Sequence, residues 1–258
     1  MRLLRRFFAT IKRKSKDGKP SRLSNISYNK NLWNNYARHW TKVNAEVEDK
    51  SVDKFNKGEY IEFLGDEWGD KESVKKVINN FIIPYVNPDS VVAEIGCGGG
   101  RIAAIVAPLV RDLYCFDIAE EMLEIAKTNL TRFSNIKYLL TDGKAFDESF
   151  NGKFDFIYSF DVFVHLDLHT IWAYFKAFKK IISKEGLIFL HTANITAPDG
   201  WARFEKQVEY KVEGHYFLSP EIIRIMAEKA HYEIIKESVA DDNFYNKRDY
   251  LFILKNKS

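Results

Sequence analysis

The chain has 258 residues, of which 46% are apolar and 15% aromatic. This length and composition suit one α/β domain with additions, and they exclude a globally disordered chain. The net charge is +3, but residues 1–20 carry eight basic side chains against one acidic, a net +7 that leaves −4 for the rest. A mildly acidic body argues against a protein that binds nucleic acid over its main surface.

The first predicted segment is a basic N-terminal arm, residues 1–27. Arg5-Arg6 interrupts the apolar pairs Leu3-Leu4 and Phe7-Phe8, so the arm has no continuous apolar core of a signal peptide or membrane span. Paired Leu and Phe among basic residues are typical of a segment that lies on an anionic membrane surface. A flexible solvated leader has the same composition. We expect a cytoplasmic protein. Its basic arm is the candidate segment for peripheral contact with the inner face of the membrane.

A helical cap is predicted over residues 28–85. One helix is expected over 28–47, where large apolar side chains recur at helical spacing: Leu32, Trp33, Tyr36 and Trp40. A second helix is expected over 74–83 and must end at Pro84, which cannot donate a backbone hydrogen bond.

Residues 91–103 predict a strand, a glycine turn and the start of a helix. An apolar run ends in Glu94-Ile95, and glycines follow at alternate positions: Gly96, Gly98 and Gly100. Such a turn lets a ligand approach bare backbone. A dinucleotide-binding turn would place a small residue at position 101, where this chain has Arg101. The pattern Glu-x-Gly-x-Gly-x-Gly instead resembles the first motif of class I S-adenosylmethionine-dependent methyltransferases.

The resemblance implies S-adenosylmethionine as the cofactor, with the glycines admitting its methionine part. Asp117 ends the next apolar stretch, where a carboxylate can accept hydrogen bonds from both ribose hydroxyls. The resemblance places Ile118 and Met122 beside the adenine ring and gives Asp142 the adenine amino group. The predicted cofactor residues are Glu94, Gly96, Cys97, Gly98, Gly100, Asp117, Ile118, Met122, Asp142, Gly143, Phe160 and Tyr36.

Strand and helix patterns alternate through the rest of the chain. Helices are predicted over 119–130, over 167–182 with Asp167 as N-cap, and over 220–230; strands are predicted over 136–140, 154–159, 187–191, 232–239 and 249–254. With the resemblance, this order predicts an α/β fold over residues 28–258: a seven-stranded, mostly parallel Rossmann-like methyltransferase sheet, with helices on both faces and an N-terminal helical extension. The long connection 192–218 is expected to cover the active site.

The residues after the fourth predicted strand narrow the reaction. Amino-methylating nucleic-acid enzymes carry Asn/Asp-Pro-Pro-aromatic there, whereas this chain has Ser159-Phe160-Asp161-Val162. No set of carboxylates marks a magnesium site, and Asp241-Asp242 is expected to be a solvated turn. Cys97 and Cys115 are expected to be small buried residues, and no metal is expected. Metal-free transfer to a small molecule, a glycan or a protein side chain remains.

His165 is the candidate general base, because a neutral imidazole can take a hydroxyl proton near pH 7. Asp161 is the second catalytic candidate and could orient His165. The segment 64–69 resembles methyltransferases encoded with bacterial surface-polysaccharide synthesis, and Trp68 in it offers an apolar face to a sugar ring. The predicted acceptor contacts are Trp68, Glu67, Trp33, His191, Trp201, Arg203 and Tyr216. Structural packing is an open alternative for each of them.

The sequence therefore predicts an O-methyltransferase that acts on a sugar hydroxyl of a glycan or glycolipid precursor. Two alternatives stay open. One is N-methylation of a small metabolite or a protein amine, which needs no strong base. The other is a non-catalytic module that binds S-adenosylmethionine. The sequence carries no signal for the oligomeric state.

Overall fold

The computed structural model describes residues 24–40, 62–209 and 214–257. The described helices are α1 (Asn25–His39), α2 (Lys71–Phe81), α3 (Ala103–Val106), α4 (Glu120–Asn129), α5 (Leu168–Ile181), α6 (Pro198–Lys206) and α7 (Pro220–Lys229). The described strands are β1 (Val91–Ile95), β2 (Asp112–Asp117), β3 (Ile136–Leu140), β4 (Phe154–Ser159), β5 (Ile182–Ala193), β6 (Tyr232–Glu237) and β7 (Asp249–Asn256). Short 3₁₀ turns lie at Asp66–Trp68, Ile83–Tyr85, Ala107–Leu109, Glu148–Phe150 and Phe163–His165.

The strands form one sheet in the order β3-β2-β1-β4-β5-β7-β6. The pairings from β3 to β5 are parallel, and β7 is antiparallel to both β5 and β6. The predicted seven-stranded, mostly parallel sheet is confirmed. The chain builds outward from β1 to β3 and then returns to β4 on the other side of β1. Ligands of open α/β sheets bind at such a change of direction, beside the carboxyl ends of the strands.

Two apolar layers enclose the sheet. Alternate strand residues face opposite layers: in β1, Val92 packs with the layer that includes α2, α3 and α4, and Val91 and Ala93 pack with the layer that includes α5 and α7. Because both faces are covered, the central strands are mostly apolar. Cys97 and Cys115 are free thiols buried in this core.

The helix α1 begins earlier than the predicted start at residue 28. Ser24 has extended backbone, and its side chain accepts a hydrogen bond from Ser27 N at 3.2 Å, so the cap fixes the start at Asn25. The helix ends at His39, because Trp40 returns to extended backbone. Residues 41–47 of the predicted helix lie outside the described residues.

The helix α2 also begins before its predicted first residue, 74. Asp70 acts as N-cap and accepts a hydrogen bond from Ser73 N at 2.7 Å. The helix ends at Phe81, and Pro84 lies in the 3₁₀ turn that leads to β1. The sequence pattern revealed the apolar face of α2 but missed its cap.

The second half of the sheet differs from the prediction in the lengths of three strands: β6 ends at Glu237 and β7 at Asn256, where 239 and 254 were predicted, and β5 is longer. Asp167 caps α5 as predicted, accepting from Thr170 N at 2.8 Å. The strand β5 spans Ile182–Ala193 and exceeds the predicted 187–191, because β4 and β7 pair with it on its two sides. The helix α7 begins at Pro220 as predicted, but the side chain of Ser219 makes no capping hydrogen bond.

The basic arm, residues 1–23 of the predicted 1–27, lies outside the described residues. Among the residues that the structure describes, no helix is long and apolar enough to cross a membrane. The same residues contain no group of three or more His, Cys, Asp or Glu side chains able to hold a metal ion. Asp241 and Asp242 lie in an exposed turn, as expected.

Candidate active site

A cleft lies at the carboxyl ends of β1, β2 and β4. The glycine turn after β1 forms its floor, and Asp117 stands at the end of β2. Phe160 and Asp161 follow β4 and line the opposite wall. The helix α1 and the segment 62–69 contribute the cover. The cleft therefore occupies the place where the sheet topology predicts a ligand.

The glycine turn is held by main-chain hydrogen bonds. Gly96 N and Cys97 N both donate to Phe116 O, at 2.7 and 3.2 Å. Gly96, Gly98 and Gly100 have φ values of 75°, 52° and 89°, which side chains rarely adopt. A Cβ atom on Gly98 would meet no protein atom within 4 Å, so the turn presents bare backbone to the cleft there.

Asp117 is buried and fixed by the turn beside it. Its Oδ2 accepts from Gly98 N at 2.9 Å and its Oδ1 from Ala119 N at 2.8 Å. Burial raises the pKa of Asp117 to about 6, so the carboxylate is largely ionised at pH 7. Each oxygen keeps a lone pair after these bonds, and two lone pairs suit two ribose hydroxyls.

Glu94 lies at the end of β1 and also lines the cleft. Its Oε2 accepts from Tyr158 Oη at 3.0 Å. Burial raises the pKa of Glu94 to about 8, so the free protein holds this carboxyl mostly protonated at pH 7. A cationic ligand in the cleft would favour the ionised form.

These residues fit S-adenosylmethionine. The open face of Gly98 leaves space for a ligand, and the Asp117 carboxylate lines the same cleft. Ile118 and Met122 give it an apolar wall, as an adenine ring requires. Gly143 and Phe160 line it as well, whereas Gly100 and Asp142 are not part of the lining. The Asp142 side chain is exposed and its Oδ1 accepts from Lys144 N at 2.8 Å, so its contact with the adenine amino group stays a prediction.

The helix α1 lies over the cleft and contributes Ile26, Asn29 and Trp33 to its lining. Arg38 Nε pairs with Glu121 Oε1 at 2.8 Å and ties α1 to α4. The N-terminal part of the predicted helical cap therefore covers the cleft.

Behind this cover, Glu67 acts as an anchor and does not line the cleft. Its Oε1 accepts from Tyr36 Oη at 2.6 Å and from Trp40 Nε1 at 3.1 Å, while its Oε2 accepts from Gly65 N at 2.8 Å. The carboxylate therefore fixes the aromatic residues of α1 to the segment 62–69. Glu67 was predicted to contact the acceptor and Tyr36 the cofactor, but neither lines the cleft. Trp68 does line it, beside Trp33.

His165 lines the cleft and packs edge-on against Trp33, with ring centroids 5.2 Å apart. Its Nδ1 lies 3.3 Å from Gly214 O. Because a carbonyl oxygen can only accept, Nδ1 carries the proton and Nε2 keeps its lone pair. Burial lowers the pKa of His165 to about 4, so the imidazole is neutral at pH 7. A neutral ring with an available Nε2 is the state that a general base requires.

Asp161 belongs to a buried polar network. Its Oδ2 accepts from Arg101 Nη2 at 2.8 Å and from Tyr245 Oη at 3.4 Å, and its backbone N donates to His191 Nδ1 at 3.1 Å. Although burial raises it, the neighbouring His191 and Arg101 hold the pKa of Asp161 below its ordinary value. Asp161 is therefore an ionised positioning group in contact with His191, and the predicted contact with His165 is not formed.

His191 was predicted to contact the acceptor, but it is fully buried. Its Nδ1 accepts from the Asp161 backbone, and its Nε2 lies 2.9 Å from Asp249 Oδ2. Both ring nitrogens thus face protein groups, and His191 does not line the cleft. It links Asp161 to the carboxylate on β7.

The three acceptor contacts predicted in the segment 192–218 lie away from the cleft lining. Trp201 is 53% exposed and packs on Phe204. Arg203 meets the ring of His215, and Tyr216 Oη accepts from Asn25 Nδ2 at 3.2 Å. The described part of this segment packs next to His165, because Tyr216 N donates a hydrogen bond to Val164 O at 2.9 Å.

Arg101 is a site residue that was not predicted. Its guanidinium donates to Gly65 O and to Asp161 Oδ2, both at 2.8 Å, and joins two walls of the cleft. The signal was present, because an arginine between the glycine turn and α3 must lie at the mouth of the site. Asn29 was also missed, although it lines the cleft.

Comparison with known proteins agrees with this geometry. Residues 92–186 match the family model described as "Methyltransferase domain". The chain is 38% identical over 87 residues to a probable cobalt-precorrin-6B C(15)-methyltransferase of Archaeoglobus fulgidus, covering 34% of this chain and 51% of the relative. It is 23% identical over 170 residues to the ubiquinone biosynthesis O-methyltransferase of Pelagibacter ubique, covering 58% of this chain and 67% of the relative.

A solved structure shares the fold. Magnesium protoporphyrin IX methyltransferase from Synechocystis, determined with bound S-adenosylmethionine, superimposes with a TM-score of 0.62 at 16% identity, covering 93% of this chain and 100% of that one. The chain spans about half the length of the first curated relative, so that protein's activity does not transfer to it directly. Residues 92–186 therefore match a methyltransferase domain, and the chain has the Rossmann-like fold of a methyltransferase that binds S-adenosylmethionine.

Proposed function

We propose that this chain transfers the methyl group of S-adenosylmethionine to a hydroxyl group of a small molecule, without a metal ion. The observation that carries the proposal is His165, a neutral imidazole in the same cleft as Asp117 and the glycine turn. The relative named as an ubiquinone biosynthesis O-methyltransferase supports an oxygen acceptor.

When bound, the cofactor supplies a methyl group on a cationic sulfur, which makes it electrophilic. The chain's own residues align the reactants and handle one proton. Asp117 and the glycine turn hold the cofactor, while Nε2 of His165 accepts the proton of the attacking hydroxyl. With a pKa of about 4, His165 is unprotonated across the neutral pH range, and it is a weaker base than a histidine whose pKa lies near the working pH.

The acceptor side of the cleft favours a ring. Trp33 and Trp68 lie with ring centroids 5.6 Å apart, and Trp33 contacts His165. Aromatic side chains stack on the apolar faces of sugars and of aromatic rings. We extend the proposal to a sugar hydroxyl as the acceptor, with a phenolic hydroxyl as the competing class.

His165→Ala is expected to lower kcat with a hydroxyl acceptor by about 100-fold to 10,000-fold, the usual contribution of a general base. S-adenosylmethionine affinity should stay within about twofold, because the predicted cofactor contacts do not involve His165. His169→Ala is the matched control, since His169 is exposed on α5. Formation of S-adenosylhomocysteine with panels of sugars and phenols measures kcat, and calorimetry measures the affinity.

Full turnover by His165→Ala with a hydroxyl acceptor would contradict the proposal. Turnover only with amine acceptors, unaffected by this change, would favour N-methylation, since a neutral amine needs no base. In the native protein, the rate should not fall through His165 protonation until the pH approaches about 4, because the neutral form predominates above that value.

A further inference from the structure

Two buried asparagines lie one turn apart on α1, beside His165. Asn25 Nδ2 and Asn29 Nδ2 approach His165 O at 3.1 and 3.4 Å. Asn29 Nδ2 also donates to Asn25 O at 3.0 Å, and Asn25 Nδ2 donates to Tyr216 Oη at 3.2 Å. Neither amide has a use in the reaction described above.

The orientation of both amides is fixed by these contacts. His165 O and Asn25 O can only accept, so the nitrogen of each amide must face them. Both Oδ1 atoms are then left buried and without a hydrogen-bond partner among the described residues. Asn29 is only 1% exposed. Buried carbonyl groups are nearly always paired, so each free oxygen indicates a missing donor.

Asn29 lines the cleft together with Trp33 and His165. The residues that fit the cofactor, Asp117 and the glycine turn, belong to the sheet edge below α1. The amide of Asn29 instead borders the backbone of His165, the proposed base. The contact with His165 O places the Asn29 side chain next to the proposed base, on the side of the cleft where the molecule with the reacting hydroxyl would bind.

We propose that Asn29 Oδ1 accepts a hydrogen bond from a second hydroxyl of the acceptor, adjacent to the one that is methylated. The acceptor is then a vicinal diol. Asn25 holds the same helix face in place. This inference rests on the proposed function and names its substrate class; sugar rings and aromatic diols share this chemistry.

Binding to the protein loaded with S-adenosylhomocysteine tests the inference without requiring turnover. Two matched pairs of probes separate the sources of the diol: catechol against phenol for an aromatic diol, and 1,2-cyclohexanediol against cyclohexanol for the diol of a saturated, sugar-like ring. NMR titration gives each Kd for the native chain, Asn29→Ala and Asn31→Ala. Asn31 is the control because it is an exposed asparagine of the same helix.

The native chain and Asn31→Ala should bind one diol about tenfold more tightly than its partner, as expected for one hydrogen bond to a buried group. In Asn29→Ala the two should differ by less than about twofold. The pair that shows the preference identifies an aromatic diol or a sugar. If Asn29→Ala does not fold, Asn25→Ala serves as the second variant, and it should reduce the same preference.

Equal binding within both probe pairs by the native chain would overturn the inference. A preference that survives in Asn29→Ala would overturn it too. Calorimetry of S-adenosylhomocysteine separates this failure from that of the proposed function. If Asn29→Ala weakens that ligand as much as the diol, the free oxygen serves the cofactor and the inference is wrong. If the native chain does not bind S-adenosylhomocysteine at all, the proposed function fails instead.

Discussion

Gly98→Ala is expected to weaken S-adenosylmethionine binding by about 100-fold, or about 2.7 kcal/mol, while the protein stays folded. The new methyl group would meet no protein atom within 4 Å, so the fold can accommodate it. Gly98 lines the cleft, so the added methyl group would keep the ligand from contacting the backbone there. The φ of 52° adds strain of about 1 kcal/mol to the folded state.

Gly152→Ala is the matched control for that strain. Gly152 has a φ of 62°, and a Cβ there would also meet nothing within 4 Å. It is exposed and lies outside the cleft. Urea unfolding should show similar losses of stability for the two variants, and calorimetry should show a loss of binding only for Gly98→Ala. Equal affinities for the two variants would mean that no ligand occupies the turn.

Glu94→Gln is expected to stabilise the free protein and to weaken cofactor binding. Burial raises the pKa of Glu94 from 4.5 to about 8. The native state therefore loses stability relative to the unfolded chain as the pH rises from 4.5 to about 8. At pH 8 and above, burial of the charged Glu94 lowers the stability of the native state by at most about 5 kcal/mol, and the neutral glutamine carries no such penalty. A cationic ligand favours the ionised glutamate, so native affinity should increase up to about pH 8, while that of Glu94→Gln should not.

Urea unfolding and calorimetry at pH 6, 7 and 8 measure both effects. Glu148→Gln is the control, since Glu148 is exposed in a short 3₁₀ turn. Native stability should fall with rising pH, and Glu94→Gln should show a smaller slope. A lower stability of Glu94→Gln at pH 8 would show that the charged carboxylate is already compensated in the free protein.

The fold was predictable because its signals are local and repeated. Apolar strands alternate with amphipathic helices from β1 to α7, and period-based patterns detect both. Helix starts were less predictable, because the cap residues Ser24 and Asp70 lie outside the apolar pattern. The length of β5 depends on partners far along the chain, namely β4 and β7. Local sequence does not contain that information.

The cofactor side of the site was also largely predictable. Its residues follow directly after strands, where motif spacing fixes their place: Asp117 and the glycine turn line the cleft as expected. Asp142 differs, since its side chain turns outward to bind the backbone of its own loop. The direction in which a side chain points just after the end of a strand cannot be predicted from the sequence pattern.

The acceptor side was less predictable, because tertiary contacts decide it. The Glu67 carboxylate accepts hydrogen bonds from Tyr36 of α1 and from Trp40 at the end of that helix, which the sequence around Glu67 does not reveal. His191 lies inside a network completed by Asp249, which is 58 positions later in the chain. Composition alone cannot distinguish such buried groups from cleft residues. The buried asparagines of α1 became visible only through the donors that their oxygens lack.

The central claim is that this cleft binds S-adenosylmethionine through Asp117, and calorimetry of the native chain and Asp117→Ala tests it most directly. Asp147→Ala is the control, since Asp147 is an exposed residue that caps a short turn. We expect micromolar binding by the native chain and by Asp147→Ala. Asp117→Ala should lose about 1.5–3 kcal/mol, as for hydrogen bonds to a charged group. No binding by the native chain, or equal binding by Asp117→Ala, would contradict the account.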